Sequence, residues 1–119
     1  MNIFSLFKPK KLDQEAFEAY WHRLPNNLAI QWFRDGKYIV GNIQAEGEVF
    51  MTQGRTADEF IDMVNETVYA VYNIPKEYFS LLKLSKEFKP VPEEYAKLHN
   101  ASIHESSLSL KKSIKPQLA

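Results

Sequence analysis

The stretch "LAIQWFRDGKYIVGNI", Leu28 to Ile43, constrains the fold more than any other part of the chain. Two runs rich in β-branched and aromatic residues flank Asp35-Gly36, the pattern of a β-hairpin. With Asp35-Gly36 as a two-residue turn, Phe33 faces Tyr38 and Trp32 faces Ile39. Leu28, Ile30, Trp32, Ile39 and Ile43 then share one face, and burying that face requires a second layer. The same register sets Arg34 beside Lys37, a like-charge pair that a slightly longer loop would relieve. Ala45-Glu46-Gly47-Glu48 reads as a second connection. "VFMTQ" follows as a third strand, antiparallel because so short a loop cannot make a parallel crossover.

The period then changes. From Thr56 to about Asn73 the apolar residues Phe60, Ile61, Val64, Val68, Val71 and Tyr72 recur at helical spacing, with Asp58, Asp62 and Glu66 turned away. Several are β-branched or aromatic, so this helix depends on packing against the sheet. Ile74-Pro75 is expected to stop it. "EYFSLLKL" suits either a strand or a Pro-started helix, and a short strand is preferred.

On either side of this core, about residues 28–89, lie two different segments. Residues 1–27 hold a helix with Asp13 as N-cap and an apolar face of Ala16, Phe17, Tyr20, Trp21 and Leu24, a face that must dock on something. Residues 90–119 begin with Pro90-Val91-Pro92 and a short helical pattern, "EEYAKLH". They continue in a Ser- and Lys-rich tail whose low apolar content predicts mobility when free. The expected fold class is α+β: a three- to four-stranded antiparallel sheet, β-β-β-α-β, covered by one main helix, with an extra helix at the N-terminus.

Composition narrows the function classes. The 15 basic and 15 acidic residues balance, so no global field marks a nucleic-acid binder. The absence of cysteine removes disulfides and zinc-thiolate sites and fits a reducing cytoplasm. No apolar run approaches the roughly 20 residues that span a bilayer. The start, "MNIFSLFKPKK", places its apolar patch before its basic residues, the reverse of a signal peptide. A cytoplasmic protein is expected. "IFSLF" with Lys8, Lys10 and Lys11 could touch a membrane surface but is too short to anchor there.

Candidate chemistry is sparse. His22, His99 and His104 lack the i, i+4 spacing with a nearby Glu that a helical zinc site shows, so no metal or other cofactor is expected. Serines cluster in the tail, where nothing would hold a nucleophile to its base. Asp58, Glu59 and Asp62 are acids in an early helical turn, where the helix dipole favours them in any case. No catalysis is expected. Trp32, Phe33, Tyr38 and Phe50 could form a single-strand nucleic-acid platform, yet only Arg34 and Lys37 lie near them, so core packing or a protein interface suits them better. Lys111, Lys112 and Lys115 support weak, unspecific attachment to nucleic acid.

"MTQGRTADEF", Met51 to Phe60, could cradle a phosphate at a helix N-terminus. Its Thr56-x-x-Glu59 pattern is instead a capping box. In that arrangement the Thr56 hydroxyl accepts from the Glu59 N–H and the Glu59 carboxylate returns to the Thr56 N–H. Gly54, Thr56 and Glu59 therefore form a strand-to-helix hinge.

A hairpin, a strand ending in "TQGRT" and the acidic-apolar helix "ADEFIDMVNETVYAVY" resemble the HicB antitoxin family and its HicB-like relatives. Gln53, Gly54 and Thr56 match the family's Gln-Gly-x-Thr, and Glu59 stands near its acidic position. The resemblance covers about residues 28–75. It implies a module that masks a partner, a small basic ribonuclease toxin of the HicA type, and that self-associates as a dimer or tetramer. Glu46 and Glu48, flanking Gly47 at a turn, are the candidate partner-binding residues. The residues after Pro90 are too few and too polar for the family's DNA-binding modules, so DNA binding is not expected.

Overall fold

The computed structural model describes residues 12–84 and 88–112. It is an α+β protein whose five strands form one wholly antiparallel sheet in the order β3-β2-β1-β5-β4. The elements follow the chain as α1 (Gln14–Arg23), β1 (Asn27–Asp35), β2 (Tyr38–Ala45), β3 (Glu48–Gly54), α2 (Ala57–Val71), α3 (Phe79–Leu84), β4 (Phe88–Pro90), α4 (Pro92–His99) and β5 (Glu105–Lys112). A 3-10 turn, Lys76–Tyr78, leads into α3.

The expected hairpin forms with its turn one residue further on. Asp35 pairs with Tyr38 across Gly36-Lys37, so Phe33 faces Val40 and Arg34 faces Ile39. This shift preserves the parity of the faces: Leu28, Ile30, Trp32, Ile39 and Ile43 are all buried on one side. It also dissolves the Arg34–Lys37 clash. Gly36, with φ +59, supplies the left-handed conformation that such a tight turn requires.

Three expectations are corrected. The sheet has five strands rather than three or four. Residues 79–84 are helical, not a strand, because Pro75 and the 3-10 turn start a helix whose Leu82 reaches the core. The short helix expected at "EEYAKLH" forms as α4, but the supposed tail after it supplies β5, which lies inside the sheet between β1 and β4. Within β5, Leu108 and Leu110 point inward while Ser107 and Ser109 point outward, so a composition average hid an alternating strand.

The helices bury their apolar faces together. Phe17 and Trp21 of α1, Phe60, Val64, Val68 and Tyr69 of α2, Leu82 of α3 and Leu98 of α4 share one core with the inward strand residues. Residues 14–23 are therefore an integral layer, capped by Asp13, whose carboxylate accepts from Glu15 N at 2.8 Å. At its far end Lys112 donates to the carbonyls of Trp21 and Leu24, 3.1 Å from each. Helix α2 stops before Pro75. Asn73 takes φ 59, and the Ile74 and Asn73 N–H groups return to Tyr69 and Ala70, a Schellman ending.

Candidate functional site

The hinge between β3 and α2 is built at two levels. Thr56 caps α2, its hydroxyl accepting from Glu59 N at 3.0 Å. The return bond differs from expectation: the Glu59 carboxylate accepts from the Arg55 N–H, 3.3 Å away. Arg55 precedes the cap, and its backbone is the one that reaches the Glu59 side chain. Beneath the cap, Gly54 lets the helix backbone touch the strand. A Cβ there would lie 2.5 Å from Phe60 N. With Asp58 and Glu59 both in the first turn, the helix start presents negative charge and is a poor phosphate cradle.

Arg55 itself turns back over the sheet. Its guanidinium lies 5.6 Å from the Tyr38 ring centroid and donates to the Tyr38 hydroxyl at 3.4 Å. That hydrogen bond raises the already high pKa of Arg55. It therefore carries a fixed positive charge at the end of β3.

At the other end of β3 is the turn Glu46-Gly47, with φ 54 and 73, a type I′ geometry. Glu46 and Glu48 are both exposed there. Glu48 extends from the first residue of β3. Glu46 is tied inward: it accepts from the Tyr72 hydroxyl just past α2, and burial together with that bond raises the Tyr72 pKa. The two acids thus share a turn without being equally available.

The remaining expected groups disperse. His22 and His99 end α1 and α4, and His104 lies just before β5, its carbonyl bonded to Arg34 N at 2.8 Å. Among the described residues no group of three or more His, Asp or Glu side chains converges. The aromatics divide between layers: Trp32 is buried inside, Phe33 and Tyr38 lie on the outer sheet face, and Phe50 faces the helices. The tail lysines divide too. Lys112 is engaged by α1, and burial lowers its pKa, while Lys111 is exposed. Lys115 and the N-terminal "IFSLF" with its lysines lie outside the described residues. Among the described residues no helix is long and apolar enough to cross a membrane.

Two features were missed from the sequence. One is a cavity of about 430 Å³ between α2, β4 and α4, whose lining includes Ile61, Asp62, Lys83, Phe88, Pro90 and Tyr95. On its floor Asn65, almost wholly buried, donates to the Ile61 and Phe88 carbonyls and accepts from the Tyr69 hydroxyl. Asn65 breaks an apolar helix face, which was the available signal. The other feature is the outer sheet face and edge, where Val49 and Met51 are 60% and 64% exposed. Comparison with family models, with curated proteins and with solved structures gives no match.

Proposed function

We propose that this protein is a HicB-like partner-binding module whose partner is a small basic protein, in the fullest form of the reading a ribonuclease toxin that it masks. The observation that supports this most is local. A three-stranded meander ends in Gln53-Gly54-Arg55-Thr56, and α2 then lies back on the strands that precede it, with Glu46 and Glu48 exposed at the meander's second turn. Exposed carboxylates on a hairpin tip, Glu48 foremost because Glu46 is also engaged by Tyr72, suit a basic surface, where they set orientation and encounter rate more than raw affinity.

Co-expression with a small basic ribonuclease toxin of the HicA type tests the reading. The pair should co-purify, and Glu46→Lys with Glu48→Lys should weaken the complex and make it less salt-dependent. Failure of any small basic protein to bind, or binding that ignores both reversals, would remove the proposal. An alternative reading as a nucleic-acid binder has less support, because Lys112 already serves the end of α1.

A further inference from the structure

The sheet stops short beneath one flank of α2. Its edge strand β4 is three residues long, and Pro92 begins α4 almost at once. Asp58, Ile61, Asp62 and Asn65 recur along α2 at the i, i+3, i+4, i+7 spacing of one face. Across the gap from that face stand Phe88 and Pro90 of β4 and Tyr95 of α4. The cavity of about 430 Å³ between them falls within the range of roughly 300–1,000 Å³ usual for small-ligand sites.

Its depth and its rim differ chemically. At depth Phe88 is buried, and Asn65 has both amide hydrogens committed, to the Ile61 and Phe88 carbonyls. The depth therefore suits an apolar body and asks no acceptor of it. The Tyr95 ring is braced edge-on by His99, their centroids 4.7 Å apart. At the rim Asp58 and Asp62 lie one helical turn apart. Lys83 answers Asp62 at 3.2 Å but is shared with Glu66. The Asp58 carboxylate has no partner among the described residues. Lys89, the other base of the lining, alternates with the inward Phe88 and sits beside Lys111 on the outer sheet face. Three carboxylates, Asp58, Asp62 and Glu66, thus stand against one ammonium. The helix dipole favours an acid at Asp58 but does not account for the apolar space next to it.

We infer that this cavity binds a small organic cation. Its flat apolar body lies against Phe88, Pro90 and Tyr95, and its protonated amine sits at the rim beside Asp58. Charge selects this occupant, since an anion at the same rim would meet net negative charge. The rim is open to water, so the charge discriminates among ligands more than it adds affinity. Binding is therefore weak, and the order of preference among probes is its signature.

Amide chemical-shift titrations of the full chain with 2-phenylethylammonium, 2-phenylethanol and 3-phenylpropionate test this. The three probes share a ring on a short chain and differ in charge. The cation should shift the amides of Ile61, Asn65 and Tyr95 saturably, with a dissociation constant on the order of 1 mM for so small a ligand. The alcohol should bind about two- to fivefold more weakly, and the carboxylate more weakly still. Asp58→Lys should abolish the cation's advantage and leave the alcohol's binding unchanged. Ile61→Trp, which fills the space, should weaken all three. Asp58 is exposed, so its substitution keeps the test intact even where Ile61→Trp perturbs folding. No saturable shift at these amides, equal binding of alcohol and cation, or preference for the carboxylate overturns the inference. So does a cation preference indifferent to Asp58→Lys. Binding of the alcohol alone would mark an apolar groove for a partner's side chain and overturns it too. β3 and β4 are opposite edges of the sheet and no second protein is present, so the outcome is independent of the Glu46 and Glu48 assay.

Discussion

Phe60 is held between two glycines, and the contrast between them can be measured. Its ring covers Gly41, where a Cβ would come within 2.6 Å of ring carbon, and its backbone rests on Gly54. Neither glycine has positive φ, so both are required by close approach rather than by backbone conformation. Gly41→Ala overpacks a side chain and should cost about 1–3 kcal/mol. Phe60→Leu in the same chain should return part of that cost, since the smaller side chain can yield. Gly54→Ala meets the helix backbone instead, so Phe60→Leu should not rescue it. Urea melts arranged as two double-mutant cycles decide the matter, and rescue of both or of neither would refute the assignment. Thr56→Ala, which removes only the cap, should cost about 1 kcal/mol. The hinge was legible in the sequence because Gly54 stands beside a capping pattern. Gly41 was overlooked although an isolated glycine inside a strand signals close approach, because the ring that requires it lies 19 residues away in sequence, at Phe60.

Two joints between elements rest on single side chains. Arg34 leaves β1 and gathers the end of α4, donating to the carbonyls of Leu98, Asn100 and Ile103 at 2.8, 2.9 and 2.7 Å. A lysine ammonium cannot span these acceptors as the planar guanidinium does. Arg34→Lys should therefore cost about 1–3 kcal/mol, and amide exchange should quicken in α4 and the start of β5 before it does in α2. The second joint is Glu46 with Tyr72, which fastens the β2–β3 turn to the end of α2. Tyr72 has its pKa raised from 10.0 by burial first and by this hydrogen bond second. A raised phenol pKa is stabilisation present in full below pH 10.0 and lost as pH climbs through the folded value. Glu46→Gln should move the Tyr72 titration, followed by its ring resonances, back toward the ordinary value and make that loss smaller, since its onset near pH 10.0 is set by the unfolded chain. A titration unmoved by the substitution would show that burial alone sets it. Neither joint could be read from the chain, because each links residues far apart in sequence through one hydrogen-bonding side chain.

At the scale of the molecule, the central division between sheet and helix was legible and the extent of the fold was not. The periods of Leu28–Ile43 and of α2 identified the right faces, since each segment carries its own large apolar stripe. β5 carries only Leu108 and Leu110 among serines and lysines, too little apolar area to declare itself, and it becomes a strand because β1 offers it a complete edge. That dependence is mutual. β5 pairs with β1 from Asn27↔Lys111 to Phe33↔Glu105, and it alone joins β4 to the sheet. A chain ending at Pro90 would lose Leu98, Leu108 and Leu110 from the core and leave the inner edge of β1 unpaired. It would also lose Lys112 from the end of α1. Each fully buried leucine contributes roughly 1.5–3 kcal/mol, against a total stability of about 5–15 kcal/mol for a domain. The truncated chain should therefore show no cooperative thermal transition and should bind a dye selective for exposed apolar surface. Cooperative melting of that chain would mean that residues 1–90 hold the fold by themselves and that β5 is an accessory to it.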